Sequence, residues 1–176
     1  MPAPSTAPVT SFEQKHVVSV ADLAVSSNPG LQLITYSLGS CIGITIFDPV
    51  TRVGGLLHAM LPDSKIDPAK AAAQPAMFID TGIPALFRAA YQLKAEKHRV
   101  QICLAGGAQV IDTGGFFSIG KRNYELTKQI LSHHGLVVRA EQVGGVVGRT
   151  MILNLRTGEV RLRVSGENQD TILWKG

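Results

Sequence analysis

Cys41 and His58 are the two residues of this sequence whose types and spacing allow covalent chemistry. A cysteine is nucleophilic as the thiolate, and with an ordinary pKa near ~8.5 it needs a neighbouring base at neutral pH. An imidazole within reach accepts the thiol proton and later returns it to a leaving amine. The stretch from Thr35 to His58 reads as a β-hairpin with its turn centred between Pro49 and Val50. That register sets Phe47 opposite Arg52, Thr45 opposite Gly54, Gly43 opposite Leu56 and Cys41 opposite His58. Directly opposed residues hold their Cβ atoms roughly 4.5–5.5 Å apart, so the ring reaches the thiol. Gly54-Gly55 is where a bulge could alter the pairing. Thr35, on the preceding strand, could orient the imidazole through its hydroxyl or hold a polar substrate group. Gly39, Ser40 and Gly43 are small enough to leave room for a substrate side chain, and backbone N–H groups near Ser40-Cys41 could stabilise an oxyanion. Taken alone, the pair supports a cysteine hydrolase and says nothing of its substrate. A cysteine in an apolar stretch is also commonly just a small buried hydrophobe.

The elements that must position these residues follow from periodicity. HVVSVADLAVS and LQLITYS read as strands separated by the SSNPG turn, and IGITIF places Ile42, Ile44 and Ile46 on one face. VGGLLHAML is the returning strand, and LPDSKIDPAKAAAQ reads as a polar loop. From about Pro75 to His98 the pattern is helical, with Pro84 either starting the helix or kinking it. RVQICLAGGA is a short buried strand and VIDTGGFFSIG a glycine-punctuated loop. RNYELTKQILSHHG is a second helix closed by Gly135, with Asn123 read as its cap in preference to a residue lining the substrate groove. LVVRAEQVGG, RTMILNLR and EVRLRVSG are the last strand candidates. The order strands, helix, strand, helix, strands is not that of a doubly wound sheet. It predicts an α/β (α+β) fold, a layered sandwich of mixed sheets with two main helices on one side. Residues 1–12, rich in Pro, Ala, Ser and Thr, read as a flexible extension, and residues 13–176 as a single domain.

Composition excludes several classes. The net charge is only +4, and the basic residues are scattered rather than gathered with stacking aromatics, which argues against nucleic-acid binding. Arg161 and Arg163 alternate with Val160, Leu162 and Val164, as on the wet face of an edge strand. No run is long enough to span a membrane, and no signal segment opens the chain, so a cytoplasmic protein with reduced thiols is expected. Cys103 reads as core, and Gly106-Gly107 as a place where backbone packs closely beside the hairpin. His133-His134 close the second helix and lack the further ligands a metal site needs.

At the hairpin residues the chain resembles the CheD family of chemoreceptor glutamine deamidases. The resemblance runs through SVADLAV, ITYSLGSCIGITIFDP, GGLLHAMLP, LAGGAQV, IGKRN, QVGGVVGRTMILN and TGEVRLRV, from about residue 17 to 164. Its most specific part is a Thr six residues before a Gly-Ser-Cys cysteine and a His seventeen after it. The resemblance implies a triad of Thr35, Cys41 and His58, and a fold similar to the catalytic domain of cytotoxic-necrotizing-factor toxins. It implies conversion of chemoreceptor Gln side chains to Glu through an acyl-enzyme, with the same pair able to hydrolyse glutamate methyl esters. No metal or organic cofactor is required. The implied partners are the cytoplasmic helices of methyl-accepting chemoreceptors and a CheC-like phosphatase. The alternative is a regulatory binding module acting through that phosphatase. A general cysteine protease fits less well, because no extended substrate cleft is visible in the sequence.

Overall fold

The structure is a computed structural model that describes residues 13–109 and 118–176. The extension expected over residues 1–12 lies outside the described residues, as does most of the glycine-punctuated loop. In chain order the strands are β1 (Gln14–Val17), β2 (Asp22–Ser26), β3 (Leu31–Leu38), β4 (Ile42–Asp48), β5 (Val53–Ala59), β6 (Gln101–Gly106), β7 (Val138–Val143), β8 (Arg149–Asn154), β9 (Val160–Val164) and β10 (Thr171–Trp174). The helices are α1 (Pro68–Ala73), α2 (Ile79–Gln92) and α3 (Ile119–His133). One five-stranded sheet has the order β1-β3-β8-β9-β10, and the other β2-β5-β4-β6-β7. Both are mixed: β1–β3 and β6–β7 are parallel pairs, whereas β3–β8 and β4–β5 are antiparallel.

Side-chain alternation along β4 explains the layering. Ile42, Ile44 and Ile46 point to the helix side and join Leu57, Leu86, Phe87, Leu104 and Leu131 in one cluster. Phe47 points the other way and joins Leu56, Cys103, Leu33, Met151 and Leu153 between the sheets. With both faces covered, β4 and β5 are buried along their whole length, although such strands in a one-sided sheet would alternate. The layered sandwich expected from the pattern is thus the observed architecture. Gly54 and Gly55 introduce no bulge. They admit Leu155 against one face of β5 and Leu86 against the other.

The hairpin register differs from expectation. Gly43, not Cys41, pairs with His58, and the ladder continues to Asp48 with Val53. The loop holds Pro49 to Arg52 and is closed by the Arg52 N–H on the Asp48 carbonyl at 2.8 Å, with Arg52 at φ 57°. Asp48 belongs to the strand end rather than to a tight turn because its buried carboxylate is held by Arg99 at 2.8 Å and by the Glu96 N–H at 2.9 Å. The slip is by two residues, so each side chain keeps its face; a slip by one would have turned His58 into the helix layer.

The helical region is shorter than its pattern. α2 ends at Gln92 because Lys94 adopts φ 73° and closes a Schellman motif, its N–H on Tyr91 and that of Ala95 on Ala90. Pro84 lies inside α2. α3 closes by the same motif at Gly135, as expected. The segment read as a polar loop contains α1, which Asp67 caps by accepting the Lys70 N–H at 3.0 Å, with Pro68 in the first turn. Strand β10 was not legible in the sequence. It covers β9, so Arg161 and Arg163 lie on an exposed face but not on an edge strand.

Candidate active site

Thr35 and His58 come from different sheets and meet between them. The Thr35 hydroxyl lies 2.6 Å from His58 Nδ1 and 2.7 Å from the carbonyl of Val18. Both side chains are fully buried. A carbonyl only accepts, so the single hydroxyl hydrogen is committed to Val18, and the Thr35 oxygen accepts the Nδ1–H of a neutral ring. That bond selects the tautomer with a free lone pair on Nε2. Nε2 has no hydrogen-bond partner among the described residues. Burial disfavours the imidazolium and pushes the His58 pKa down to about 4.

Cys41 sits at the bend just before β4, half-buried, and packs against the same inter-sheet cluster that Leu56 of the His58 strand joins. It is therefore a diagonal neighbour of His58, displaced by two residues from the directly opposed Gly43. Diagonal neighbours remain within reach of long and aromatic side chains. Burial pushes the Cys41 thiol up, partly offset by its own backbone N–H. Both shifts favour the neutral forms, a thiol at Cys41 and an imidazole at His58, over a thiolate–imidazolium ion pair.

Cys41 opens onto a cavity of about 850 Å³ whose described lining includes Gly39, Ser40, Ala108, Val146 and Ser165 and carries no charged side chain. Gly39 and Ser40 thus stand where substrate room was expected. Gly43 does not: it faces Leu38 and Met151 inside the sandwich, where a Cβ would come within 2.8 Å of Leu38.

Three successive carbonyls of the loop that carries Cys41 are tied from outside it. Gly39 accepts the Ala108 N–H at 2.8 Å, Ser40 the Asn123 side-chain amide at 2.9 Å, and Cys41 the Gly107 N–H at 2.8 Å. Gly106, at φ +104°, is obligatory here, because a Cβ would lie 2.2 Å from the Cys41 carbonyl oxygen. The close backbone approach expected of Gly106-Gly107 is therefore observed. Its support is Arg149, buried on β8, which donates to the carbonyls of Gly144 and Gly106 at 3.0 and 3.4 Å and to Gln142 at 2.9 Å. Arg149 pairs with no acid among the described residues.

Asn123 is not a helix cap. α3 begins at Ile119, and Asn123 lies one turn inside it, fully buried. The start is earlier because Gly120 packs on the Ala108 carbonyl, where a Cβ would sit at 2.4 Å. Arg149 and Asn123 are the residues that sequence reasoning missed. An arginine inside the apolar run RTMILN was the one signal for the first, and the IGKRN match for the second. Cys103 is buried between the sheets, as expected, and burial raises its pKa to about 11. Among the described residues no three His, Cys, Asp or Glu side chains converge on a metal-sized site. No helix among them is long and apolar enough to cross a membrane.

Residues 60–164 match the family described as CheD chemotactic sensory transduction. The chain is 45% identical over 150 residues to a probable chemoreceptor glutamine deamidase CheD 1 of Syntrophus aciditrophicus, covering 85% of this chain and 94% of that protein. It is 43% identical over 156 residues to the corresponding protein of Solibacter usitatus, covering 89% and 92%. A probable chemoreceptor glutamine deamidase of Pyrococcus horikoshii is 42% identical over 148 residues, covering 83% and 90%.

Proposed function

This chain belongs to the CheD family, and on that premise we propose that it deamidates glutamine side chains of chemoreceptors in the cytoplasm, with Cys41 as nucleophile, His58 as base and acid, and Thr35 orienting the ring. The catalytic unit is residues 13–176, acting as one domain. The observation that carries the roles is that Nε2 of a buried, neutral His58, whose Nδ1 is held by Thr35, has no partner among the described residues. A lone pair left free in the interior is a base awaiting a proton donor.

The Cys41 thiol gives its proton to Nε2 as sulfur bonds to the glutamine side-chain carbonyl carbon. The carbonyl oxygen becomes an oxyanion facing the N–H groups at Ser40 and Cys41. As the tetrahedral species collapses, the C–N bond breaks, and the proton on Nε2 moves to the departing nitrogen to give ammonia. Water then gives a proton to Nε2 and its oxygen attacks the thioester; the C–S bond breaks, the thiol regains its proton and glutamate leaves. A glutamate methyl ester enters the same acyl-enzyme with methanol as leaving group. The described lining of the cavity beside Cys41, which carries no charged side chain, suits a neutral amide or ester better than the carboxylate product.

Intact-mass analysis of chemoreceptor cytoplasmic fragments, incubated with wild type and with Cys41→Ala, tests this. Wild type should convert Gln to Glu, replacing NH2 by OH and adding a negative charge, and the variant should not. Binding of the fragment, or of a CheC-like phosphatase, without any conversion by wild type would leave a binding module and refute the enzyme.

A further inference from the structure

Asn123 spends both amide hydrogens on carbonyls from two distant parts of the chain, Ser40 at 2.9 Å and Met60 at 3.0 Å. Ser40 directly precedes the thiol residue, and Met60 follows His58 by two. The amide has one possible orientation, because turning it over would set Oδ1 against two carbonyl oxygens. Oδ1 meanwhile has no hydrogen-bond partner among the described residues. A buried acceptor left in that state is destabilising. An apolar residue would avoid that cost, but it would release both carbonyls.

What the tie accomplishes follows from peptide geometry. Across a trans peptide the C=O and the following N–H point in opposite directions. With the Ser40 carbonyl drawn inward to Asn123, the Cys41 N–H turns outward, toward the cavity that Gly39, Ser40 and Cys41 line. The Gly39 carbonyl, held by Ala108, turns the Ser40 N–H in the same way.

We infer that Asn123 is a positioning residue that locks the Ser40–Cys41 peptide so that the Cys41 N–H receives the oxyanion formed when the thiol attacks a carbonyl. This rests on the acyl-transfer reading above but names a group that the triad does not include. It predicts that Asn123 matters for reactions passing through a tetrahedral oxyanion and not for other reactions of the same thiol.

Two reactions of Cys41 in the full chain separate these. In acylation by p-nitrophenyl acetate, sulfur bonds to the carbonyl carbon, an oxyanion forms, and p-nitrophenolate leaves. In alkylation by iodoacetamide, sulfur bonds to a saturated carbon, iodide leaves, and no oxyanion forms. Both are read at Cys41 by peptide mass, which excludes Cys103. Asn123→Ala should lower the ratio of acylation to alkylation rate by about 10- to 100-fold, given that one oxyanion donor is worth about 10²–10³ in rate. Asn123→Ser, which keeps one donor and leaves a smaller void, should fall between wild type and Ala, and it carries the test if the Ala variant does not fold. An unchanged ratio overturns the inference, whether both rates fall together or neither falls. Neither reagent is a receptor, so wild type failing on receptor fragments refutes the deamidase without touching this result.

Discussion

Replacing Thr35 by valine keeps the shape of the side chain and removes one oxygen. That oxygen is the acceptor for His58 Nδ1–H at 2.6 Å and the donor to the Val18 carbonyl at 2.7 Å, and both side chains are fully buried. Stranding a buried polar group costs about 1–3 kcal/mol, so the two together remove about 2–6 kcal/mol if nothing relaxes. The imidazole has one way to relax, which is to move its proton to Nε2. That relieves Nδ1 and destroys the base. If the lost bond of about 1–3 kcal/mol is what set the tautomer, acylation of Cys41 slows about 5- to 150-fold. Thr35→Ser keeps the hydroxyl and deletes one methyl, costing about 1 kcal/mol of stability and little activity. The assay pairs single-turnover acylation at Cys41 with urea denaturation, and ring ¹⁵N shifts report the tautomer directly. A folded Thr35→Val protein that acylates at the wild-type rate refutes the assignment of Thr35. A Thr35→Ser protein as impaired as Thr35→Val does so equally.

Three further outcomes are expected. The unfolded chain protonates His58 near pH 6.5 and the folded chain only near pH 4, so stability is full above pH 6.5 and declines as pH falls toward 4. The loss is at most about 3 kcal/mol, and denaturant midpoints at pH 7, 5.5 and 4 should lose that part of their slope in His58→Gln. Because Cys41 rests as a thiol, its alkylation by iodoacetamide should rise about tenfold per pH unit from pH 7 to 9; a plateau reaching into acid would reveal a thiolate–imidazolium pair instead. Gly106→Ala drives a Cβ into the Cys41 carbonyl at 2.2 Å and should cost about 3 kcal/mol or more together with activity. Gly135→Ala, at φ +67° with nothing within 4 Å, should cost only about 1–2 kcal/mol and leave acylation unchanged, as calorimetry and the ester assay can show.

The hairpin illustrates what was legible. Which residues of β4 and β5 share a face depends only on parity, so alternation alone brought Cys41 and His58 to one side of the sheet. Their offset depends on where the loop closes, and that is decided by Asp48, whose partners Glu96 and Arg99 lie 48 and 51 residues away in sequence. No local rule reaches that far. Asn123 was misread for a related reason: Lys-Arg-Asn looks like the entry to a helix until Gly120 is seen to need the Ala108 backbone beside it. β10 was invisible because its four residues are a short edge element that pairs only with β9, shifting register on the way. Arg149 was passed over as one more scattered cation. Its meaning lies in joining the Gly106 carbonyl, distant in sequence, to the nearby Gly144 carbonyl and Gln142 side chain. Long-range closure, not local propensity, separates what was read from what was missed.

The Thr35–His58 bond crosses the joint between two sheets, each held together by its own ladder. On the proposed roles, catalytic competence is a gauge of how those sheets are spaced, and a 2.6 Å hydrogen bond tolerates little slack. A ligand, a partner or a modest rise in temperature that slides one sheet over the other by an ångström would free the imidazole to change tautomer while both ladders stay intact. With Thr35 and His58 in the proposed roles, such a molecule would lose activity before it melts.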